Sequence, residues 1–351
     1  MNMDPLPASL RAWRDHKPYN NPEWYKPWEQ LWPFFLEHGY DLFCLGSGGK
    51  ASIPGGTSAP ALDSFGLYGD RGDEFYSQMG RYPLAFAARD RLEVKNRDVV
   101  IKLVAHGDEG LNELKILHLL NSEPLRSDSA NLTVQVLEFL SFSDWQFVVM
   151  PFYDGCDEAP FLRASECLDF AEQVLSDISH ENIVMNHHGK VPGDPFIDIW
   201  PPHEFRSTFP VRYYLMDFGC SVHLPPNLPP RDRLIKPFKI AREQCPAEML
   251  GSTKYDPFAA DIYVVARVFY GLFRVRLLYE AKLYFQDIVP DVPGLLELLQ
   301  DMSSHNPSSR ISLTVALDRL EVLKSQTPPQ VLSQVKQIGL SAYQLIPQNI
   351  S

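Results

Sequence analysis

The order in which two hydrophobic periods follow one another constrains this chain more than any other feature. Between Leu84 and Phe152 the apolar residues fall in short β-type runs, and beyond Phe161 they recur at helical spacing. L-A-F-A-A-R-D-R-L (84–92) and R-D-V-V-I-K-L-V (97–104) flank a turn-like V-K-N, and V-Q-V-L-E-F-L-S-F and D-W-Q-F-V-V-M-P-F read as a hairpin joined at Ser143-Asp144. One helix interrupts the strands, at 108–120, with Leu111, Leu114 and Leu117 on one face. Further helices are expected at 165–175, 257–273, 293–303 and 311–325, with strand-like pieces at 182–186 and 211–216. A small β-rich half therefore precedes a larger helical half, an α+β class.

Two segments frame this pattern. Trp24, Trp28, Leu31, Trp32 and Phe35 form a helical stripe, which reads as core folded back onto its own domain, with a partner-docking helix as the alternative. From Gly46 to Gly80 the chain turns rich in Gly, Ser, Ala and Pro and reads as a long loop or insertion. Thirty prolines imply many loops and interrupted helices. The expected organisation is an extension over 1–81, a β-rich part over 82–151, a helical part over 152–325 and a tail over 326–351.

Composition narrows the function classes. The 351 residues are enough for about two domains or one large bilobal one. A formal net charge of -12 disfavours a general grip on nucleic acid or an anionic membrane, so any phosphate must be gripped locally. Five scattered cysteines without a C-x-x-C pair fit a reducing compartment. With no long apolar run and no apolar stretch at the start, the chain reads as soluble, cytoplasmic or nuclear.

Several charged positions stand in an order that phosphoryl transfer explains. Transfer of a γ-phosphoryl group needs a cation on the α/β-phosphates, carboxylate and amide oxygens for magnesium, and a carboxylate to orient the acceptor hydroxyl. Lys102 ends the strand V-V-I-K, and Glu113 on the next helix can pair with it, Glu109 being a competitor. Asp177 and Asn182 follow in S-D-I-S-H-E-N-I-V, then Asp217 in Y-L-M-D-F-G. His187-His188 reads as a polar turn, since no third ligand stands at a metal-site spacing.

Over roughly residues 82–325 these motifs resemble the protein-kinase superfamily. V-V-I-K is similar to its strand-lysine motif, D-I-S-H-E-N to D-x-x-x-x-N, and D-F-G stands intact at Asp217, Phe218 and Gly219. Pro246-Ala247-Glu248 resembles A-P-E, Asp261 resembles the helix aspartate that braces the catalytic loop, and N-P-S-S-R-I-S puts Arg310 where kinases pair an arginine with that glutamate. D-I-S-H-E-N and Y-D-P-F-A-A-D-I also resemble divergent kinase-like proteins of mushroom-forming fungi. The resemblance implies a two-lobed fold, with a small β-rich N-lobe and a larger helical C-lobe, that holds ATP and Mg2+ between its lobes and transfers phosphate to a protein serine or threonine. It implies Asp177 as catalytic base, Lys102 on the α/β-phosphates braced by Glu113, and Asn182 and Asp217 as metal ligands. Met150 becomes the gatekeeper, with backbone groups of Pro151 and Tyr153 at the adenine. Neither the protein substrate nor any binding partner is identified.

The sequence departs from that family at four points. G-x-G-x-x-G is missing ahead of the strands, where only Gly80 stands; Leu175 and Ser176 replace H-R before the aspartate; and Ser179 replaces the usual lysine. From Ser165, read as an N-cap, only 11 residues precede Asp177, about 16 Å of helix. An impaired pseudokinase serving as a binding or scaffold module is therefore the alternative, whether the short helix is genuine or a segment is missing. A small-molecule phosphotransferase shares the D-x-x-x-x-N logic.

Overall fold

Alternating burial along Arg97–His106 sets the architecture: Val99, Ile101 and Leu103 are buried on one face of the strand, and Lys102 stands on the other. In the computed structural model the described residues are 5–16, 23–45, 51–52, 61–62, 67–68, 83–91, 97–157, 161–175, 182–188, 205–225, 228–229, 232–237, 245–279, 282–335 and 339–340. They form a mixed α+β structure whose contacts divide it into two compact units. The first takes residues up to Asp154 together with Val184–Ile199 and Tyr214–His223; the second takes the remainder.

The first unit is built on a five-stranded antiparallel sheet. Its strands are β1 (Tyr40–Leu42), β2 (Ala85–Asp90), β3 (Arg97–His106), β4 (Glu138–Phe142) and β5 (Trp145–Pro151), in the spatial order β1-β2-β3-β5-β4. The two hairpins match the sequence reading. Ser143, at φ 52, makes the tight turn between β4 and β5 in the backbone region such hairpins require. Helices α1 (Leu10–Arg14) and α2 (Lys26–Glu37) cover one face of the sheet with Trp13, Trp28, Leu31 and Phe35. Trp13 meets Trp28 and Trp145 edge to face, at ring centroids 5.5 and 5.1 Å apart, and the Trp28 Nε1 donates to the Pro83 carbonyl at 3.0 Å.

The aromatic stripe thus packs on its own unit, with two corrections. Trp24 is buried but precedes the helix, and Trp32 is 41% exposed, its Nε1 donating to Asp41 Oδ1 at 3.0 Å. Pro33 sits inside α2 without ending it, because buried Leu31 and Phe35 hold the helix on both sides of the missing donor. In the segment read as one long loop, the described pairs Ala51–Ser52, Ala61–Leu62 and Leu67–Tyr68 are short strands. The 108–120 helix begins three residues later, as α3 (Leu111–Leu120), because Gly110 adopts φ 78.

The second unit is mainly helical, with α4 (Ala164–Val174), α5 (Ala247–Leu250), α6 (Pro257–Leu272), α7 (Leu295–Met302) and α8 (Leu313–Gln326). Phe161, Phe170, Phe269 and Phe273 form its aromatic centre. The N-cap of α4 is Arg163 rather than Ser165, since Glu166 reaches back to the backbone N–H groups of Leu162 and Arg163 and satisfies them. A hairpin of Arg274–Tyr279 and Lys282–Asp287 has no counterpart in the sequence reading. No described helix is long and apolar enough to cross a membrane.

Arg310 follows a 3-10 turn that Asn306 caps by accepting from the Ser308 N–H. Its guanidinium donates to Glu248 and to the carbonyls of Ala259 and Ser304, and it lies 4.8 Å from the Tyr263 ring centre. Removing one partner of such a buried pair strands the other charge. Arg310→Ala should lower unfolding stability by about 3–5 kcal/mol in urea denaturation, with Glu248→Ala falling in the same range.

Candidate functional site

An ammonium in a sheet interior must find carboxylates, and Lys102 finds two. It stands mid-strand, opposite Ala85 on β2 and Val148 on β5, on the face away from the aromatic core. Its Nζ donates to Glu113 Oε1 at 2.5 Å and to Asp217 Oδ1 at 2.9 Å. Burial works against its charge, but the negative charges of Glu113 and Asp217 outweigh it, so its pKa stands above that of an ordinary lysine.

Glu113 arrives through the geometry of one glycine. Gly110, in the left-handed region, allows α3 to start directly after β3 and pack on it. A Cβ there would lie 2.0 Å from the Val104 carbonyl oxygen, so no other residue fits without moving the backbone. One turn into α3, Glu113 faces Lys102, while Glu109 lies before the helix and accepts from the Arg11 N–H. The open choice between these two glutamates therefore resolves to Glu113.

Asp217 is delivered by a different route. Residues 132–134 pair with Leu215, through Val134 N–H to Leu215 O at 3.0 Å and Leu215 N–H to Leu132 O at 2.7 Å. Two residues on, Asp217 has φ 67, an uncommon conformation for a residue with a side chain and one that concentrates at functional sites. Its Oδ1 also accepts from the Gly219 N–H at 3.3 Å. A Cβ on Gly219 would lie 3.2 Å from Asp217 Oδ1 and 3.4 Å from Glu113 Oε2, so the missing side chain keeps the carboxylates close. The neighbour of Glu113, Asn112, donates to the Ser221 carbonyl at 2.9 Å and ties α3 to the segment after D-F-G.

The remaining sequence-selected residues are distributed as follows. Met150 and Pro151 end β5 in buried positions, and buried Tyr153 stacks on Tyr214 with centroids 5.3 Å apart. Asn182 immediately precedes the strand Ile183–Met185 and belongs to the second unit. Asp177, Ser179, Gly80 and the other upstream glycines lie outside the described residues, as does the segment that Asp261 of α6 was expected to brace. Among the described residues, no group of three or more His, Cys, Asp or Glu could hold a metal.

One cluster was misread. His187 and His188 do not form a polar turn: they are a buried strand, with His187 Nδ1 2.9 Å and His188 Nδ1 3.2 Å from the two oxygens of Asp154, and His188 Nε2 3.1 Å from Asp98 Oδ2. Asp98 also accepts from Arg89 at 2.6 Å, and Asp90 from Arg97 at 3.2 Å. The signal was present in the two Arg-Asp dipeptides flanking a turn, because antiparallel pairing sets Arg89 against Asp98 and Asp90 against Arg97.

No family model and no curated protein matches the chain. The glycine that positions Glu113 supplies a test by contrast. Gly110→Ala should cost more than about 2 kcal/mol, from left-handed strain plus the clash with Val104. Gly107→Ala, at φ 53 with nothing within 4 Å of the new Cβ, should cost only about 1–2 kcal/mol. Parallel urea melts measure both.

Proposed function

We propose that the chain is a protein-kinase-like, nucleotide-binding protein with a small β-rich lobe and a larger helical lobe, its site built on Lys102, Glu113 and Asp217. The observation that carries this reading is their convergence: a strand lysine, a helix glutamate and the D-F-G aspartate, spread over more than a hundred residues, meet at one ammonium. The second carboxylate sits in a left-handed conformation on an exposed edge, with its side chain 43% exposed.

The donor set fits ATP with magnesium. Magnesium takes one or two carboxylates and completes its shell with phosphate oxygens and water, so the exposed carboxylate of Asp217 can serve as its protein ligand. When bound, magnesium and the nucleotide supply the γ-phosphoryl group and neutralise the charge that develops on it. Lys102 would hold the α/β-phosphates, Glu113 would keep its ammonium extended, and Asp217 would offer oxygen to the metal, a role that the family resemblance also gives Asn182. Backbone groups of Pro151 and Tyr153 meet the adenine, beside Met150. Asp177 orients the hydroxyl of a protein serine or threonine.

A second reading has its own support. The helix α4 that leads toward Asp177 is only 11 residues long, and Leu175-Ser176 stands where the family keeps H-R. A base displaced by about 1 Å loses roughly 100-fold in rate. The alternative is thus a pseudokinase that binds the nucleotide and serves as a binding or scaffold module without turnover.

Thermal melting with Mg-ATP tests binding first. A ligand at 100 times its Kd stabilises the folded chain by about 2.7 kcal/mol. Mg-ATP should raise the Tm of the wild type and leave that of Lys102→Met unmoved; equal shifts would overturn the assignment of the site. Phosphate transfer to a protein substrate, lost in Asp177→Ala, then separates the kinase from the pseudokinase.

A further inference from the structure

The ion cluster around His188 lies outside the chemistry assigned above, and its geometry fixes a protonation state. Both ring nitrogens of His188 face carboxylate oxygens, Nδ1 toward Asp154 and Nε2 toward Asp98. A neutral imidazole has one N–H, so one of those contacts would set a lone pair against a carboxylate; only the imidazolium donates to both. Charge balance agrees. Arg89 and protonated His188 give two positive charges against Asp98 and Asp154, all buried, while Asp90 and Arg97 neutralise each other on the opposite face of the hairpin.

What this pairing holds is specific. Asp154 ends the segment that leaves β5, and Asp98 lies on β3 next to that segment. Phe152 donates its N–H to the Asp98 carbonyl at 3.2 Å and stacks on the His188 ring, centroids 4.3 Å apart. His187 holds the second oxygen of Asp154, and Arg89 holds the second oxygen of Asp98. These contacts hold Phe152 and Asp154, on either side of Tyr153.

We propose that His188 is a positioning residue that, in its doubly protonated form, ties Asp154 to Asp98 and fixes the segment Phe152–Asp154, and that loss of its proton releases the segment. The consequence for ligand rests on the nucleotide reading, because Pro151 and Tyr153 are its adenine contacts: a released segment binds the nucleotide more weakly. Burial disfavours the imidazolium, but the hydrogen bonds to Asp154 and Asp98 outweigh burial and raise the pKa above the ordinary 6.5. With the folded value raised, the contribution of this group to stability is complete below about pH 6.5 and is lost as the pH rises through the folded midpoint.

The full wild-type chain tests this without a substitution. NMR titration of the imidazole C–H signals should give His188 a midpoint above about 6.5. Hydrogen-exchange protection of the Phe152, Tyr153 and Asp154 amides, corrected for intrinsic rates, should fall at least ~10-fold across that same midpoint. A midpoint at or below ~6.5, or protection unchanged through it, overturns the lock. Where nucleotide is bound, the Kd for Mg-ATP should rise about tenfold over the same pH range, a change of 1.4 kcal/mol. In His188→Gln the Kd should be weak and pH-independent. Failure of Mg-ATP to bind at every pH refutes the nucleotide reading alone, since imidazole titration and amide exchange still decide the lock.

Discussion

A lysine ammonium that lies 13% exposed inside a sheet is the constraint on which the first unit turns. Burying it without partners would cost several kcal/mol or neutralise it, so the fold must bring carboxylates to it. Glu113 arrives because Gly110 turns the chain sharply into α3, and Asp217 because Leu215 is stitched to residues 132–134. Val99, Ile101 and Leu103 of β3 must be apolar to receive Trp28, Phe35 and their neighbours, and it is this that leaves Lys102 on the opposite face. The N-terminal aromatic helices and the lysine site are thus two sides of one strand.

The second organising device is also ionic. Arg89, Asp98, His188 and Asp154 are buried on one face of the β2–β3 hairpin and Asp90 and Arg97 on the other, and each finds a partner of opposite charge. Such networks are poor sources of net stability but penalise alternatives heavily, because a register slip of one residue would bury unpaired charges. The β2–β3 hairpin is accordingly fixed at its turn end by charge and along its length by apolar packing.

Legibility in the sequence followed the strength of the local signal. The four longer helices of the second unit, α4, α6, α7 and α8, and both hairpins of the first could be read because their apolar period is unmixed, and the Ser143-Asp144 turn is short. Lys102, Glu113 and Asp217 were legible as an ordered set, although only the fold decides between Glu109 and Glu113. His187-His188 misled because a polar pair ordinarily marks a solvated turn, and nothing local announces that Asp98 and Asp154 will receive it. The hairpin at 274–287 escaped because its alternation mixes charged with apolar letters, R-V-R-L-L-Y and K-L-Y-F-Q-D. Trp32 shows the complementary failure: it has the right period but the wrong side of the helix, since its indole N–H is taken by Asp41.

Covalent labelling tests directly the proposed role of Lys102 as a phosphate-holding cation. An acyl-phosphate derivative of ATP transfers its acyl group to an amine held against the phosphates, and mass spectrometry of the digested chain reports which lysine was modified. Lys102 should be modified, and free ATP should suppress its modification. Labelling spread over surface lysines, with Lys102 unmodified and no effect of ATP, would contradict it.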